Sequence, residues 1–71
     1  MTITITASYM STGAARNAGD ELISDGFDQE KVFVDEDAME VKVMVSGNIR
    51  REVEEILQRH QPRDIHTTPV E

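Results

Sequence analysis

The densest group of side chains that could do chemistry lies between residues 20 and 40. Nine carboxylates occupy this stretch, against a single base, Lys31. Three of them are consecutive, Asp35-Glu36-Asp37, and valine-rich segments lie on both sides. Hard cations such as Ca²⁺ and Mg²⁺ need several oxygens that converge on one point, and Asp35 with Asp37 offers two carboxylates. The residues that follow lack the spacing of an EF-hand loop, so the run predicts a solvated turn, with a weak divalent-cation site as the alternative.

Other kinds of catalytic or metal site have little support. The chain has no cysteine, which excludes disulfides, thiolate zinc sites and a cysteine nucleophile. The two histidines are His60 and His66, and no third ligand accompanies them. His60 and Arg59 lie at the end of a predicted helix, where a cation interacts favourably with the last carbonyls. No serine has a GxSxG context and no glycine-rich phosphate motif is present. We therefore predict no catalytic residue, no cofactor and no enzymatic activity.

Composition narrows the choice of partners. The 71 residues carry a formal charge of −7, from 7 Lys+Arg and 14 Asp+Glu. Because phosphate backbones are bound by clustered basic residues, nucleic acid is not an expected partner. No apolar run approaches the ~20 residues that span a bilayer, and the first residues do not have the pattern of a signal peptide, so no membrane contact and a cytoplasmic location are expected. A chain this short, without disulfides, buries only about 60% of its unfolded surface, which favours a homodimer or another protein partner.

A strand and a helix are predicted in the first third of the chain. Residues 2–9 alternate small polar and apolar side chains, as in a half-buried strand. The helix begins after Ser11 or Thr12, either of which can cap it. It ends at Gly26, which suits the left-handed position after a helix, and Phe27 can fold back on the last turn. The residues predicted to face the interior are Ile3, Ile5, Ala7, Tyr9, Ala15, Ala18, Leu22 and Ile23.

The two valine-rich segments, residues 31–34 and 40–45, are predicted to pair as an antiparallel hairpin around residues 35–38. In each segment the valines share one face, which is expected to point to the helices. Phe33 and Met44 then lie on the opposite, open face of the sheet, beside the polar residues of the first strand. This surface is the predicted interface, and its candidate residues are Phe33, Met44, Thr4, Thr6 and Lys42.

The last third of the chain is predicted to hold a helix and a short strand. Apolar residues from Ile49 to Leu57 recur at helical spacing, with Asn48 as the cap. Pro62 cannot continue this helix, and residues 63–67 can form an edge strand that ends before Pro69.

The element order β-α-β-β-α-β predicts an α+β fold of the ferredoxin-like type. Two helices would pack on one face of a three- or four-stranded antiparallel sheet, with the first strand between the third and the fourth. One domain is predicted for residues 1–71, with an ordered core at residues 2–67 and a flexible tail at residues 68–71.

Several segments resemble those of one bacterial family. They are the alternating isoleucines of the first strand, the small-residue helix that ends in GFD, the valine-rich hairpin, and EEILQRH followed by RDI. In these features, residues 3–66 resemble small bacterial general-stress-type domains, similar to heat-induced stress proteins, whose function is uncharacterised. The resemblance implies the same fold and a stress-related setting, and it transfers no active-site residue.

The sequence therefore predicts a small acidic protein-interaction domain that self-associates through the open face of its sheet. The alternative is a regulatory module that senses a small ligand at a dimer interface. A weak divalent-cation binder at the acidic turn is the second alternative.

Overall fold

The computed structural model describes residues 1–70, which form four strands and two α-helices joined by short turns. In chain order the elements are β1 (Thr2–Ser8), α1 (Thr12–Ser24), β2 (Val32–Asp35), β3 (Glu40–Ser46), α2 (Arg50–Gln58) and β4 (Asp64–Pro69), with single 3-10 turns at Gln29–Lys31 and Gly47–Ile49. The strands lie in the order β2-β3-β1-β4, and all neighbours are antiparallel. This is the predicted ferredoxin-like arrangement, with β1 between β3 and β4. Neither helix in the described part of the chain is long and apolar enough to cross a membrane.

The core lies between the two helices and one face of the sheet. Opposite residues on antiparallel strands share a face, and Val43 on β3 lies opposite both Ile5 on β1 and Val32 on β2. The helices cover this face with Ala15, Ala18, Leu22, Val53, Ile56 and Leu57, all of them buried.

Ile23 is an exception among the residues predicted to face the interior. It is 40% exposed, whereas Leu22 is fully buried. Successive residues of an α-helix are rotated by about 100°, so Ile23 falls beyond the edge of the stripe that α1 presents to the sheet.

Both predicted ends of α1 are confirmed. Ser11 Oγ accepts a hydrogen bond of 3.1 Å from the Ala14 N–H, which makes Ser11 the cap. At the other end Gly26 has φ 104°, in the region that L side chains rarely adopt. The Phe27 N–H donates to the Leu22 carbonyl and the Gly26 N–H donates to the Ile23 carbonyl, each at 3.1 Å. These two bonds define a Schellman motif.

The predicted cap of α2 is wrong. A 3-10 turn at Gly47–Ile49 precedes the helix, and Ile49 occupies the cap position without a side-chain hydrogen bond. Asn48 lies within that turn, and its Oδ1 accepts a bond of 2.6 Å from Ser46 Oγ. The Ser46–Asn48 hydrogen bond therefore stabilises the start of the 3-10 turn, which precedes α2.

Strand β4 extends through Pro69, beyond the predicted end. The Tyr9 N–H donates to the Met39 carbonyl, so odd-numbered residues of β1 bond to β3 and even-numbered ones bond to β4. The Val70 N–H accordingly donates to the Thr2 carbonyl at 3.0 Å. In β4 the backbone N–H and C=O groups of odd-numbered residues point away from β1. Pro69 therefore loses no hydrogen bond to β1 by lacking an N–H. The predicted flexible tail includes residue 71, which lies outside the described residues.

Candidate functional site

The acidic run forms the turn of the β2–β3 hairpin, as predicted. Asp35 ends β2 and pairs with Glu40, so the connecting residues are 36–39, one position later than expected. Asp35 Oδ1 accepts a hydrogen bond of 3.1 Å from the Ala38 N–H, the local bond by which aspartate favours turns. Met39 completes the reversal with φ 56°. The carboxylate of Asp35 is therefore part of the turn's own hydrogen bonding.

The turn is also attached to the start of α1. The Glu36 carbonyl accepts a bond of 3.1 Å from Thr12 Oγ1, and the Glu36 carboxylate pairs with Arg16 at 2.8 Å. Both partners of this ion pair are more than half exposed, so it contributes little to stability. Among residues 1–70, no group of three or more His, Cys, Asp or Glu side chains is arranged to hold a metal ion. Asp35 and Asp37 thus remain two carboxylates without a third ligand in this part of the chain.

His60 and Arg59 converge on one carboxylate of the first helix. His60 Nε2 lies 2.7 Å from Glu21 Oε1, and the Arg59 guanidinium contacts the other oxygen, Oε2. The hydrogen bond with His60 and, after it, the bond and charge of Arg59 hold the pKa of Glu21 below its usual value. Both residues lie at the end of α2, as predicted, and their side chains join α2 to α1 through Glu21. Their capping role stays a prediction.

Tyr9 makes a second link between the sheet and α2. Its side chain is fully buried, and its hydroxyl donates a hydrogen bond of 2.9 Å to the Leu57 carbonyl. Burial raises the pKa of Tyr9 to about 12, so the phenol is neutral at physiological pH. The position suits a structural hydrogen bond at the end of a helix.

The sheet surface away from the helices is here called the open face, because neither α1 nor α2 covers it. Strand register divides it into rows that run across the strands. The acidic row consists of Asp35, Glu40, Ser8 and Asp64. The central row consists of Phe33, Lys42, Thr6 and His66. The neutral row consists of Met44, Thr4 and Thr68, and Ser46 and Thr2 lie beyond it.

All five predicted interface residues lie on the open face. Phe33 is 50% exposed and lies directly opposite Lys42, so Met44 is its diagonal neighbour on β3. Thr6 lies at the centre with only 6% exposure, between Lys42 and His66 on the adjacent strands. The result is a polar surface with one large aromatic side chain at its β2 edge. The interface role of these residues stays a prediction.

The contribution of β4 to the open face was not predicted from the sequence. Asp64, His66 and Thr68 lie on it, and His66 Nδ1 is 3.5 Å from Asp64 Oδ2. The two histidines therefore pair with different carboxylates, His60 with Glu21 and His66 with Asp64. After residue 63, charged and less polar residues alternate. This alternation is the sequence signal that could have predicted these side chains on the open face.

Two shallow depressions lie on the described surface. One, beside the acidic turn, is lined by Phe33, Val34, Asp35, Glu36, Asp37 and Lys42. The other lies at the start of α2 and is lined by Gly47, Asn48, Arg50, Arg51, Glu52 and Glu54. The first continues the open face at the edge where Phe33 is exposed. It therefore extends the candidate surface towards the acidic turn.

No family model matches this chain, and no curated protein or solved structure is significantly similar to it. The resemblance to general-stress-type domains therefore stays a prediction.

Proposed function

We propose that the chain is a small protein-interaction domain that self-associates through the open face of its sheet. The observation that carries this proposal is Phe33, a large aromatic side chain that is half exposed on a face otherwise lined by Thr, Ser and charged residues. Completing the burial of such a side chain is favourable, since fully burying a phenylalanine yields about 1.5–3 kcal/mol. Met44 lies diagonally beside it and extends the apolar contact.

The charges on the open face restrict how two copies can stack. A two-fold axis parallel to the strands would place the acidic row against the same row of the partner, and like charges in contact are unfavourable. An axis across the strands, between the central and neutral rows, instead places each acidic row over the partner's Ser46 and Thr2. It also lays the Lys42 stem over the partner's Met44. We therefore propose the second orientation.

The resemblance to general-stress-type domains adds a stress-related setting to this proposal. With a charge of −7 and no basic cluster, the expected partner is a protein, and a second copy of the chain is the first candidate.

Sedimentation equilibrium over a range of concentrations tests the proposal. We expect the average mass of the wild type to rise above that of one chain at high micromolar concentration, and the average mass of Phe33→Glu to stay below the wild-type value. Ile23→Glu is the matched control, because Ile23 is also an exposed apolar residue but lies on α1. Both substitutions replace an exposed apolar side chain with one negative charge, on different surfaces of the molecule. A monomeric wild type, or equal masses for the wild type and Phe33→Glu, would contradict the proposal.

A further inference from the structure

The outer edge of β4 presents unpaired backbone groups. Odd-numbered residues of this strand point away from β1, so the N–H and C=O groups of Ile65 and Thr67 face outward. Within residues 1–70 these groups have no backbone partner. Pro69 follows in the same orientation and offers only its carbonyl. Such an edge is a template for another strand.

The opposite edge of the sheet, at β2, is much less open. The Val32 N–H donates to the Gln29 carbonyl, and the Glu36 carbonyl accepts the bond from Thr12 Oγ1. Helix α1 packs so closely that a Cβ on Gly19 would lie 2.7 Å from Val34 Cγ2. Because both ends of the β2 edge are bonded and α1 packs against Val34 between them, β4 is the better site for strand pairing.

Thr67 carries a second unsatisfied group. Its hydroxyl oxygen is buried on the helix side of the sheet and has no hydrogen-bond partner among residues 1–70. Across the sheet Thr67 lies opposite Ile5, in line with Val43 and Val32, so its neighbours in this row are apolar. A buried hydroxyl without a partner is destabilising. An added strand at the β4 edge would bring new polar groups next to it.

We propose that a second copy of this chain pairs antiparallel along β4, with the two-fold axis at Thr67. Thr67 then exchanges two N–H···O bonds with the partner's Thr67, and the Ile65 N–H donates to the carbonyl of the partner's Pro69. Pro69 ends the ladder because it has no N–H. The two Thr67 side chains lie opposite each other, where rotation about χ1 lets their hydroxyls bond, as threonine pairs do across strands.

This register is compatible with the charges along the edge. Asp64 lies opposite the partner's Val70, and His66 opposite the partner's Thr68, so no two carboxylates face each other across the pair. Ile65 lies opposite the partner's Pro69, an apolar pair on the helix side. The register therefore places no like charges opposite each other along the edge.

The edge contact goes beyond the proposed function and does not depend on it, but it changes the size of the open face. Four strands about 4.8 Å apart and up to seven residues long give one open face an area of roughly 400 Å². A standard interface buries about 800 Å² on each partner. Two copies joined along β4 form one eight-stranded sheet with their open faces side by side. The combined open face then has about the area of a standard interface.

Cysteine cross-linking tests the register, since the natural chain has no cysteine. Opposite residues in an antiparallel pair have Cα atoms about 5.5 Å apart, within the range of a disulfide. We expect Thr67→Cys to form a disulfide-linked dimer on oxidation. Ile65→Cys is the control, because in this register the two Ile65 residues are far apart. Equal cross-linking of both variants, or none for Thr67→Cys, would overturn the proposal.

Proline substitution tests the edge without cross-linking. Thr67→Pro removes an N–H that points outward, so the ladder with β1 is preserved while pairing at the edge is blocked. We expect amide exchange at Ile65 in the wild type to slow as concentration rises, and this effect to disappear in Thr67→Pro. Val34→Pro makes the same change at the β2 edge and should leave the effect intact.

Exchange at Ile65 that is independent of concentration contradicts the edge contact. Survival of the Thr67→Cys cross-link in a Phe33→Glu background would show that edge and open face act separately.

Discussion

Tyr9 shows at the residue scale how one side chain links distant parts of a small fold. Its ring belongs to the core, and its hydroxyl binds the last turn of α2, 48 residues away in the chain. The alternation of the first strand correctly predicts that the ring points inward. The partner could not be predicted, because no local pattern indicates which distant carbonyl a buried phenol will reach.

The raised pKa of Tyr9 predicts a loss of stability at alkaline pH. The usual tyrosine pKa is 10.0 and that of Tyr9 is about 12, so the fold favours the neutral phenol. The associated stabilisation is complete below pH 10.0 and is lost as the pH rises towards about 12. Urea denaturation at several pH values measures this dependence.

Tyr9→Phe is the control for that titration. It should cost about 1 kcal/mol at neutral pH through the lost hydrogen bond, and should show a shallower alkaline decline than the wild type. Since Tyr9 is the only tyrosine, the phenolate absorbance of the wild type follows the same group directly. Parallel alkaline declines in the two proteins would contradict the account.

At the element scale, the two helices are held together at one end by Glu21 of α1 and by Arg59 and His60 after α2. Arg59 and His60 are 38 and 39 positions away from Glu21 in the chain. Because the hydrogen bond with His60 is the largest cause of the lowered pKa of Glu21, the contact is more than a charge pair. It lies beside the packed surfaces of both helices, where it fixes their relative position.

The lowered pKa of Glu21 predicts a loss of stability in acid. A carboxyl group whose folded pKa is depressed stabilises the fold above its usual value, here 4.5, and this stabilisation is lost as pH falls below that value. Glu21→Gln should therefore lower the melting temperature at pH 7 and make the decline below pH 4.5 shallower.

Glu55→Gln provides the matched comparison, because Glu55 is an exposed residue of α2. It removes the same charge but should lower the melting temperature less. Differential scanning calorimetry at a series of pH values measures both variants. Identical acid profiles for Glu21→Gln and the wild type would show that the contact does not stabilise the fold.

Local sequence patterns predict most of the helices and strands. The features that they do not predict are decided by the pairing of strands in the sheet. The alternation of β1, the Ser11 cap and the Gly26 end of α1 depend on neighbouring residues, and the structure confirms all three. The extension of β4 through Pro69 depends on which edge its nitrogen faces, which only the pairing with β1 decides. For the candidate surface, the placement of Phe33 and Met44 follows from the hairpin, whereas the contribution of β4 required the register.

For the whole molecule, the asymmetry of the two sheet faces is the main guide to function. Both helices cover one face, and the other combines an acidic row, a central row with Phe33 and a neutral row. The chain carries a charge of −7, which opposes close association of copies except where the contact is favourable. A specific contact should therefore be confined to the open face and, in our further inference, the β4 edge.

The most direct test of the open-face interface is a dilution series followed by ¹H–¹⁵N NMR. We predict that amide shifts between micromolar and millimolar concentration concentrate at Thr4, Thr6, Phe33, Lys42 and Met44, and that they are absent in Phe33→Glu. Shifts that do not change with concentration, or that cluster on the outer surfaces of α1 and α2, would contradict the account.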